Sequence, residues 1–331
     1  MTVPDGPIFI GGPDRCGKTL LAAILGSHSR IAIPIVGSNL WTYFAGQFGD
    51  LRDDRNLDRC LAALRAYKHA RFLQPDLDRV RRDLRAGQRT YARLFALIHE
   101  QFAERAGRPR WGDQTGLIER YADDIFAAYP GARMVHMLRD PRDRYEASLA
   151  LWPKGRGRAG AAAARWGYSA RLARRNVRRH PGRYLVVRYE DLVRQPDETV
   201  RSVTAFLGED YEPAMLEMAD APTYRRKLAG GEDAPPGASL ISADHIGAYR
   251  GRIPAPELAF LQATLTAEMT RLGYEPDRVR LRPLERLTYW AWILPSNAVR
   301  MVGWLGLEAL QHRFPRVLGR NPIRAKIVGA S

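Results

Sequence analysis

The sequence has few cysteines and no long hydrophobic run. Its only cysteines are Cys16 and Cys60. Because Cys16 lies inside a glycine-rich segment, no disulfide framework is expected. A reducing, cytoplasmic compartment is expected instead. No run of about eighteen consecutive apolar residues occurs, so no membrane-spanning helix is predicted. The first residues lack a basic segment followed by an apolar one, so no signal peptide is expected.

Lysine is also scarce, although the chain is strongly basic. Of 52 cationic residues only five are lysine, and 36 acidic residues leave a formal net charge of +16. Arginine binds phosphate and sulfate through a planar fork of N–H donors, although genomic codon bias explains the same excess. The arginines are spread along the chain, and no zinc-finger, basic-zipper or aromatic RNA-binding motif is present. A small anionic ligand is therefore expected, and a nucleic acid is not.

Short apolar segments alternate with helical ones. The pattern predicts strands at 7–11, 31–36, 133–138 and 184–189, helices at 20–25, 141–151, 164–179, 197–207 and 254–272, and two or three amphipathic helices between 50 and 108. Loops are predicted at 153–163, where a lid is one interpretation, and at 230–240. Strands that alternate with helices indicate an α/β fold of three layers, with a mostly parallel central sheet flanked by helices.

A phosphate-binding loop is the strongest motif. Residues 12–19 read Gly-Pro-Asp-Arg-Cys-Gly-Lys-Thr and match G-x-x-x-x-G-K-T between a predicted strand and a predicted helix. Glycines let the backbone wrap a phosphate, and the helix N-terminus adds positive potential. The loop is typical of two ligand classes, a nucleoside triphosphate with Mg²⁺ or a phosphosulfate nucleotide without a metal.

Two further segments extend the pattern. Arg139-Asp-Pro-Arg-Asp143 follows the strand at 133–138, with Ser148 in the next helix. A strand-end arginine and a helix serine together suit a phosphate, although an ion-paired helix start is the competing interpretation. The segment 188–192 reads Arg-Tyr-Glu-Asp-Leu and precedes Pro196 and the Phe-Leu-Gly of 206–208.

Together these segments resemble the sulfotransferase family that uses 3′-phosphoadenosine 5′-phosphosulfate (PAPS), including its bacterial and tyrosylprotein-type members. Its motif P-R-S-G-T-T-L corresponds to 14–20, its R-D-P-R-D stretch to 129–143 and its Y-E-D-L stretch to 189–208, and its last segments to 247–254 and 272–276. The resemblance spans about residues 6–277. It implies a P-loop-containing α/β domain over 1–278, with a helical insertion at 40–110 on the acceptor side.

The resemblance also implies an activity and its residues. The chain would transfer a sulfuryl group from PAPS to an acceptor hydroxyl, release adenosine 3′,5′-bisphosphate and require no metal. The 5′-phosphosulfate would be held by Arg15, Cys16, Gly17, Lys18, Thr19 and Leu20. Lys18 and Arg15 would stabilise charge on the leaving phosphate. Arg139 and Ser148 would hold the 3′-phosphate, and Arg250 or Arg252 would close over it.

One departure from the family pattern concerns the 3′-phosphate. The family serine lies eight residues after the arginine, where this chain has Ala147, and Ser148 is one residue further along. One residue turns a helical side chain by about 100°. Ser148 therefore reaches the ligand only if the helix begins differently.

A second departure concerns the general base. The family's lysine and histidine positions hold Gln114 and Gly116, and 34–38 contains no acid. Asp113 is the leading substitute, with a surface-turn aspartate as the competing interpretation. His28 is the second candidate, and capping of the preceding helix is its alternative.

The last segment differs from the rest. Residues 279–331 carry nine cations and two acids, and Trp290, Trp292 and Trp304 lie close together there. This basic C-terminal extension is predicted to be amphipathic, and it would lie on a membrane surface, against a second subunit or over the domain's own core. The expected partners are therefore a small-molecule or lipid-like hydroxyl acceptor and, through 279–331, a peripheral membrane contact or a homodimer.

Two other functions remain open from the sequence. A P-loop kinase using ATP and Mg²⁺ explains Lys18 and Thr19 but not the Y-E-D-L segment or the Gly-Arg-Ile-Pro of 251–254. A non-catalytic nucleotide-binding protein is the other alternative, because the usual base is missing and the tail is basic.

Overall fold

The computed structural model describes residues 6–149, 151, 157–232, 240–314 and 317. Its strands are β1 (Ile8–Gly11), β2 (Ile31–Ala32), β3 (Arg110–Gln114), β4 (Arg133–Leu138) and β5 (Tyr184–Arg188). They form one sheet in the order β2-β3-β1-β4-β5, and each of the four pairings is parallel. The predicted α/β fold with its mostly parallel sheet is confirmed.

Helices cover both faces of this sheet. In chain order they are α1 (Lys18–Gly26), α2 (Leu40–Tyr43), α3 (Asp54–Ala66), α4 (Ala70–Leu73), α5 (Leu77–Ala86), α6 (Tyr91–Arg105), α7 (Ala122–Ala128), α8 (Pro141–Ser148), α9 (Arg158–Arg179), α10 (Tyr189–Arg194), α11 (Pro196–Leu207), α12 (Pro222–Leu228), α13 (Ala255–Arg271), α14 (Pro283–Thr288) and α15 (Leu294–Arg313). Two 3₁₀ turns lie at Ile118–Tyr121 and Pro213–Glu217, and a π-helical turn, Tyr289–Ile293, joins α14 to α15. No helix in this described part of the chain is long and apolar enough to cross a membrane.

The alternation of side chains along the strands divides the core into two layers. Phe9 and Met134 face a buried cluster built from helices α2 to α7. Ile8, Ile10 and Val135 face a second cluster, formed with α1, α10 and α11. Successive strand residues point to opposite faces, so each strand supplies both layers. The sheet is thus the middle of three layers, as predicted.

A third cluster joins the C-terminal helices to the sheet domain. It contains buried residues of α8, α9 and α13, with Tyr289 from the π-helical turn. The α15 backbone approaches α9 so closely that a Cβ on Gly160 would lie 2.0 Å from the Asn297 carbonyl oxygen. The Asn297 side chain accepts a hydrogen bond from the Gly160 N–H (2.6 Å), and Arg120 forms a buried ion pair with Glu308. The predicted C-terminal helical extension is therefore present and is anchored on α9.

Three segments differ from the prediction. The strand expected at 31–36 ends at Ala32, because Pro34 two residues later has no N–H to donate to a ladder. Strand β3 was not predicted, since its sequence Arg-Trp-Gly-Asp-Gln is largely polar, yet all five of its residues are buried. The segment between 50 and 108 forms four helices rather than two or three.

The loop predicted at 153–163 is partly helical. Helix α9 begins at Arg158, and its first turns contain a run of alanines, which are strong helix formers. Residues 153–156 of that predicted loop, and 233–239 of the loop predicted at 230–240, lie outside the described residues. Helix α8 ends at Ser148 instead of residue 151, and α11 ends at Gly208 in the left-handed conformation, as its sequence indicated.

Candidate functional site

The loop between β1 and α1 has a backbone that only glycine accommodates at two places. Gly12 and Gly17 adopt φ of 119° and 86°. A Cβ at Gly12 would lie 2.1 Å from the Met137 carbonyl oxygen, and one at Gly17 would lie 2.7 Å from the ring of Tyr189. The two glycines therefore let the loop press against β4 and α10 while it curves around its own centre.

The N-terminus of α1 is open to an anion. Gly17 provides no side-chain cap, and the first turn holds no acidic residue. The first N–H groups of a helix have no partner within the helix and carry partial positive charge. The buried Lys18 ammonium donates to the Pro13 carbonyl oxygen (2.5 Å), and burial lowers the pKa of Lys18. This arrangement is that of a phosphate- or sulfate-binding loop.

The other loop residues divide by exposure. The side chains of Cys16 and Leu20 are buried in the core, so only their backbone groups can meet a ligand. Burial raises the pKa of the Cys16 thiol to about 12, which keeps it protonated and unreactive. Arg15 is exposed and Thr19 is half-buried, so both side chains are accessible from the mouth of the loop.

Asp14 ties the loop to two helices. Its Oδ1 accepts from Arg144 of α8 (2.5 Å) and from Arg165 of α9 (2.9 Å). Burial alone would raise the pKa of Asp14, but the charges of Arg144 and Arg165 outweigh it and hold that pKa far below its usual value. The fully buried Ser148 hydroxyl donates to the Arg144 carbonyl oxygen (2.8 Å) and lies 3.4 Å from Asp14 Oδ2. The structure thus turns Ser148 toward Asp14, inside the protein.

Arg139 connects the end of β4 to the phosphate loop. One guanidinium nitrogen donates to the Arg15 carbonyl oxygen (3.3 Å) and another to the His245 carbonyl oxygen (2.7 Å), while the group lies 4.6 Å from the Tyr189 ring centroid. Its Nε is buried and has no hydrogen-bond partner among the described residues. The two cationic positions predicted from the sequence are therefore in direct contact at one edge of the sheet.

A loop at 243–253 covers this edge. Asp143 accepts hydrogen bonds from the N–H groups of Gly247 (2.7 Å) and Tyr249 (3.0 Å). Arg250 lies over the Tyr249 ring at 5.0 Å, and Arg252 pairs with Glu146 at 3.1 Å. Both arginines are about two-thirds exposed. Arg250 also pairs with Asp277 at 3.7 Å, so both guanidinium groups face acidic partners, and only the loop that carries them contacts Arg139, through the His245 carbonyl oxygen.

The other family-like segments meet in one buried network. Asp140 N–H donates to Glu190 Oε1 (2.8 Å), and the Tyr274 hydroxyl donates to Glu190 Oε2 (3.0 Å). Arg142 binds the Asp140 carboxylate and donates to Gln262 (2.9 Å). Segments 139–143, 189–192 and 272–276 thus stabilise the start of α8 and the end of β4, which explains physically why they occur together.

Glu119 was not identified from the sequence. This fully buried carboxylate accepts a hydrogen bond from the Gly12 N–H (2.9 Å) and another from the Ser169 hydroxyl. Ser169 also contacts His136 Nε2 (2.9 Å), and His136 Nδ1 contacts the Tyr184 hydroxyl (2.6 Å). This buried network fixes the position of Gly12, the first glycine of the loop, through its backbone N–H. No local motif marks Glu119, which lies 107 residues away from Gly12.

Asp113 lies at the end of β3 and is surrounded by donors. It accepts from the Ser38 N–H (3.0 Å), the Ser38 hydroxyl (2.6 Å) and the Thr115 hydroxyl (3.1 Å). His99 Nε2 lies 3.6 Å away. Burial would raise the pKa of Asp113, but the interactions with His99 and Ser38 outweigh it and hold that pKa below its usual value. In this position Asp113 fixes the conformation of residues 36–39.

His28 lies at the far end of α1. The nine-residue helix separates it from the loop by about 13 Å at 1.5 Å per residue. Its Nε2 contacts the Asp210 carbonyl oxygen (2.9 Å), and its Nδ1 accepts from the Arg30 N–H (3.0 Å). The structure therefore does not bring His28 to the phosphate loop.

His69 was also missed by the sequence reasoning. Its Nδ1 is 2.9 Å from the Gly37 carbonyl oxygen, and its ring stacks on Tyr67. The Asn39 amide nitrogen lies 3.3 Å from the same Nδ1. The shorter contact is the one to the carbonyl oxygen, which cannot donate, so it favours a proton on Nδ1 and leaves the lone pair of the neutral ring on Nε2. Gly37 packs directly on Gln114, at the end of β3 and beside β1. His69 therefore lies at the same sheet edge as the phosphate loop, in the tautomer of a base.

The geometry of the loop and the sheet indicates a class of nucleotide-phosphate-binding proteins, and a family profile identifies the family within that class. A parallel sheet whose first strand leads into an uncapped helix through a glycine loop is the P-loop arrangement of nucleotide-phosphate-binding proteins. The profile described as "Sulfotransferase family" matches residues 7–213. The chain belongs to the sulfotransferase family, and it is a sulfotransferase enzyme. The resemblance identified from its motifs is confirmed.

One of three similar solved structures supports the fold. The sulfotransferase domain of the Synechococcus PCC 7002 olefin synthase is 22% identical, with a TM-score of 0.55, covering 81% of this chain and 94% of that one. The sulfotransferase domain of the curacin biosynthetic pathway is 18% identical (TM-score 0.49), covering 82% and 99%. Mouse sulfotransferase SULT7A1, solved in complex with adenosine 3′,5′-bisphosphate (PAP), is 13% identical (TM-score 0.42), and the match covers 87% of this chain and 89% of that one. A search of curated protein sequences found no match.

Proposed function

We propose that the chain transfers the sulfuryl group of PAPS to a hydroxyl of a small-molecule or lipid-like acceptor. One observation carries the choice of donor. The anion-binding loop at 12–19 and the strand-end Arg139 are in contact, because an Arg139 N–H donates to the Arg15 carbonyl oxygen. PAPS has charged groups at both ends of its ribose, and two adjacent cationic positions match that distribution of charge.

The described residues fit such a donor. The uncapped N-terminus of α1, with Lys18 and the exposed Arg15, would hold the 5′-phosphosulfate. The buried Nε of Arg139 has no hydrogen-bond partner among the described residues, and a 3′-phosphate oxygen would supply the missing acceptor. Arg250 and Arg252 would approach the same phosphate from the loop at 243–253. Ser148 would act indirectly, by positioning Asp14 and the loop.

The reaction proceeds as an in-line displacement at sulfur. The acceptor oxygen forms a bond to sulfur, the bond from sulfur to the bridging oxygen breaks, and adenosine 3′,5′-bisphosphate (PAP) leaves with the electron pair. Lys18 and the N–H groups of α1 stabilise the charge that develops on the leaving phosphate. Asp14 holds the loop in place through Arg144 and Arg165, so these donors are preorganised.

His69 is the group best arranged to take the acceptor's proton. Its Nδ1–H is fixed by the Gly37 carbonyl oxygen, which leaves Nε2 as the acceptor atom. Asp113 already accepts three hydrogen bonds, and its lowered pKa makes it a weak base. We assign Asp113 a positioning role, because it holds Ser38 between Gly37 and Asn39. Helices α2 to α6, around His69, would form the acceptor side.

A thermal-shift experiment tests the donor site. Adenosine 3′,5′-bisphosphate should stabilise the protein in metal-free buffer more than ATP with Mg²⁺ does. Arg139→Ala removes a charged hydrogen-bond donor, so we expect the affinity for the bisphosphate to fall by about 10- to 100-fold. Adenosine 5′-phosphosulfate lacks the 3′-phosphate, and its stabilising effect should survive the substitution.

The matched control is Arg133→Ala, at the opposite end of β4, where the arginine donates to the Gly182 carbonyl oxygen. It should leave both ligand responses unchanged. A stronger, Mg²⁺-dependent response to ATP would instead indicate a kinase. Equal responses of the Arg139→Ala variant and the native chain to the bisphosphate would place the 3′-phosphate elsewhere. Binding without transfer to any tested hydroxyl acceptor would indicate a non-catalytic nucleotide-binding protein.

A further inference from the structure

The C-terminal helical segment exposes an unusual amount of apolar surface. Of fourteen large hydrophobic side chains exposed in the described part of the chain, ten lie between Leu284 and Val317. Leu284, Leu287, Val299, Val302 and Leu310 follow one another at intervals that place them along one side of the helical run, and Val299 is 74% exposed. We call this side the apolar face.

The opposite side of the same helices is anchored. Asn297 and Glu308 are buried, and Trp304 packs against Tyr168 of α9. The buried Arg120–Glu308 ion pair fixes the far half of α15. The segment therefore cannot turn its apolar face inward without breaking these contacts. Surface of this size on a single helix face indicates an interaction site.

A cluster of arginines lies next to the end of α15. Arg171, Arg174, Arg175, Arg178 and Arg179 line a cavity of about 370 Å³ on α9. His312, in the last turn of α15, stacks near Tyr121. The contacts of Gly160 with Asn297 and of Tyr168 with Trp304 show that α9 and α15 run side by side in the same direction, so the arginine-rich end of α9 lies next to the end of α15.

The charge of this cluster is only partly neutralised. Glu268 pairs with Arg174, and Asp123 pairs with Arg175 and Arg179. Five guanidinium groups thus share two carboxylates. The described part of the C-terminal segment adds to the excess, because residues 279–314 contain five cations and two acids, and one of those acids is paired with Arg120. The apolar face is therefore bordered by positive charge.

We propose that the apolar face docks on the surface of a lipid bilayer that contains anionic lipids. Exposed apolar and tryptophan side chains would enter the headgroup region, and the arginines would contact lipid phosphates. A second copy of the chain fits the charge poorly, since a symmetric dimer would bring two segments of like charge together. A bilayer of opposite charge matches both the apolar and the cationic parts.

A short chain of contacts connects α15 to the phosphate loop. Arg120, which pairs with Glu308 of α15, directly follows Glu119, whose carboxylate binds the Gly12 N–H of the phosphate loop. The membrane contact itself does not depend on the proposed reaction and can be measured without donor or acceptor.

Vesicle co-sedimentation of the full chain tests the proposal. The protein should bind vesicles of phosphatidylcholine mixed with phosphatidylglycerol, bind weakly to phosphatidylcholine alone, and dissociate as salt is raised. In Val299→Gln/Val302→Gln two exposed apolar side chains become polar, so we expect the partition coefficient to fall about tenfold or more. The matched control is Phe72→Gln/Leu228→Gln, because both residues are exposed and lie outside the C-terminal helices.

The charge is tested separately. Arg171→Gln/Arg178→Gln should weaken binding to anionic vesicles by about tenfold at low salt and leave the weak binding to neutral vesicles unchanged. Arg55→Gln/Arg82→Gln, on exposed positions of α3 and α5, should have no effect.

Sedimentation velocity completes the experiment. A native chain that is monomeric and binds anionic vesicles supports the proposal. A dimer that Val299→Gln/Val302→Gln converts to monomer, without vesicle binding by the native chain, would overturn it in favour of a second copy. Equal binding to neutral and anionic vesicles would also overturn it.

Discussion

The two sides of the active-site edge are held together by different kinds of interaction. On the donor side, ion pairs and buried carboxylates fix the phosphate loop, the end of β4 and the loop at 243–253. On the acceptor side, residues 36–39 and His69 are held by one carboxylate, hydroxyl groups and a backbone carbonyl oxygen. Many paired charges hold the proposed donor side, whereas a single buried carboxylate, that of Asp113, organises the proposed acceptor side.

This difference matches what each side would bind in the proposed reaction. A donor nucleotide carries several negative charges in fixed positions, and its site needs cations held at matching positions. An acceptor hydroxyl is neutral, and its site needs shape and one proton acceptor. The comparison predicts that substitutions on the donor side affect both binding and transfer, and that those on the acceptor side affect transfer alone.

The largest expected effect is that of Lys18→Met. The substitution keeps the length of the side chain and removes the buried charge next to the leaving phosphate, so we expect kcat to fall by about 10³-fold. Affinity for adenosine 3′,5′-bisphosphate should fall as well. Single-turnover assays with PAPS and isothermal titration with the bisphosphate measure the two effects. Lys68→Met, at an exposed position before α4, is the control and should change neither. Unchanged transfer by the Lys18 variant would end the assignment of the donor side.

The next effect sharpens the comparison on the acceptor side. His69→Gln removes the proposed base, so we expect kcat with an aliphatic alcohol to fall by about 10²-fold. An acidic phenol needs less help to lose its proton, and its rate should fall much less. Binding of the bisphosphate should remain, as measured by thermal shift.

Two other substitutions make this test specific. His180→Gln, at a histidine that pairs with Asp123 near the start of β5, should not change the rate. Asp113→Asn should lower the rate equally for both acceptors, because it disturbs the position of residues 36–39 and not the proton transfer. A loss that depends on the acceptor in Asp113→Asn, with none in His69→Gln, would make Asp113 the base.

The same comparison shows what could be predicted from the sequence. The phosphate loop and the segment 133–148 were predicted, because glycine, proline and charge at short spacing determine a turn and a helix start locally. Strand β3 was not predicted, because its residues are largely polar. They are nevertheless buried, since β3 pairs with β1 and β2 and Arg110 forms an ion pair with Glu209. Tertiary contacts overrode its local pattern.

The supports of the site are long-range contacts. Arg165 reaches Asp14 across 151 residues, and Glu119 reaches Gly12 across 107. His69 is 32 residues from Gly37 and meets it because its neighbours Tyr67 and Ala70 are buried in the cluster that α3 and α6 help to form. No spacing rule connects such residues, so the sequence indicated the ligand-binding motifs and left out the groups that hold them.

The smallest of these predicted effects concerns Asp14, which links the phosphate loop to α8 and α9. Asp14→Asn removes the charge that Arg144 and Arg165 share, so we expect the free energy of unfolding at neutral pH to fall by about 2 kcal/mol. Urea denaturation measures it. Asp58→Asn breaks the exposed ion pair with Arg81 and should cost at most about 0.5 kcal/mol. Equal losses of stability in Asp14→Asn and Asp58→Asn would show that the ion pairs of the donor side stabilise the protein no more than an exposed ion pair does.

The pH dependence of stability shows whether Asp14 holds the loop through its charge or through packing. The pKa of Asp14 is lowered in the folded protein from the usual 3.8, because Arg144 and Arg165 outweigh the effect of burial. The unfolded chain therefore takes up the proton first, so the stabilisation by Asp14 is complete above that value and declines as the pH falls below it. The stability difference between the native chain and Asp14→Asn should shrink over that acidic range and stay constant above it. A difference that does not change with pH would mean that Asp14 holds the loop by packing alone. The contrast between a donor side held by many charges and an acceptor side organised by one carboxylate would then lose its main support.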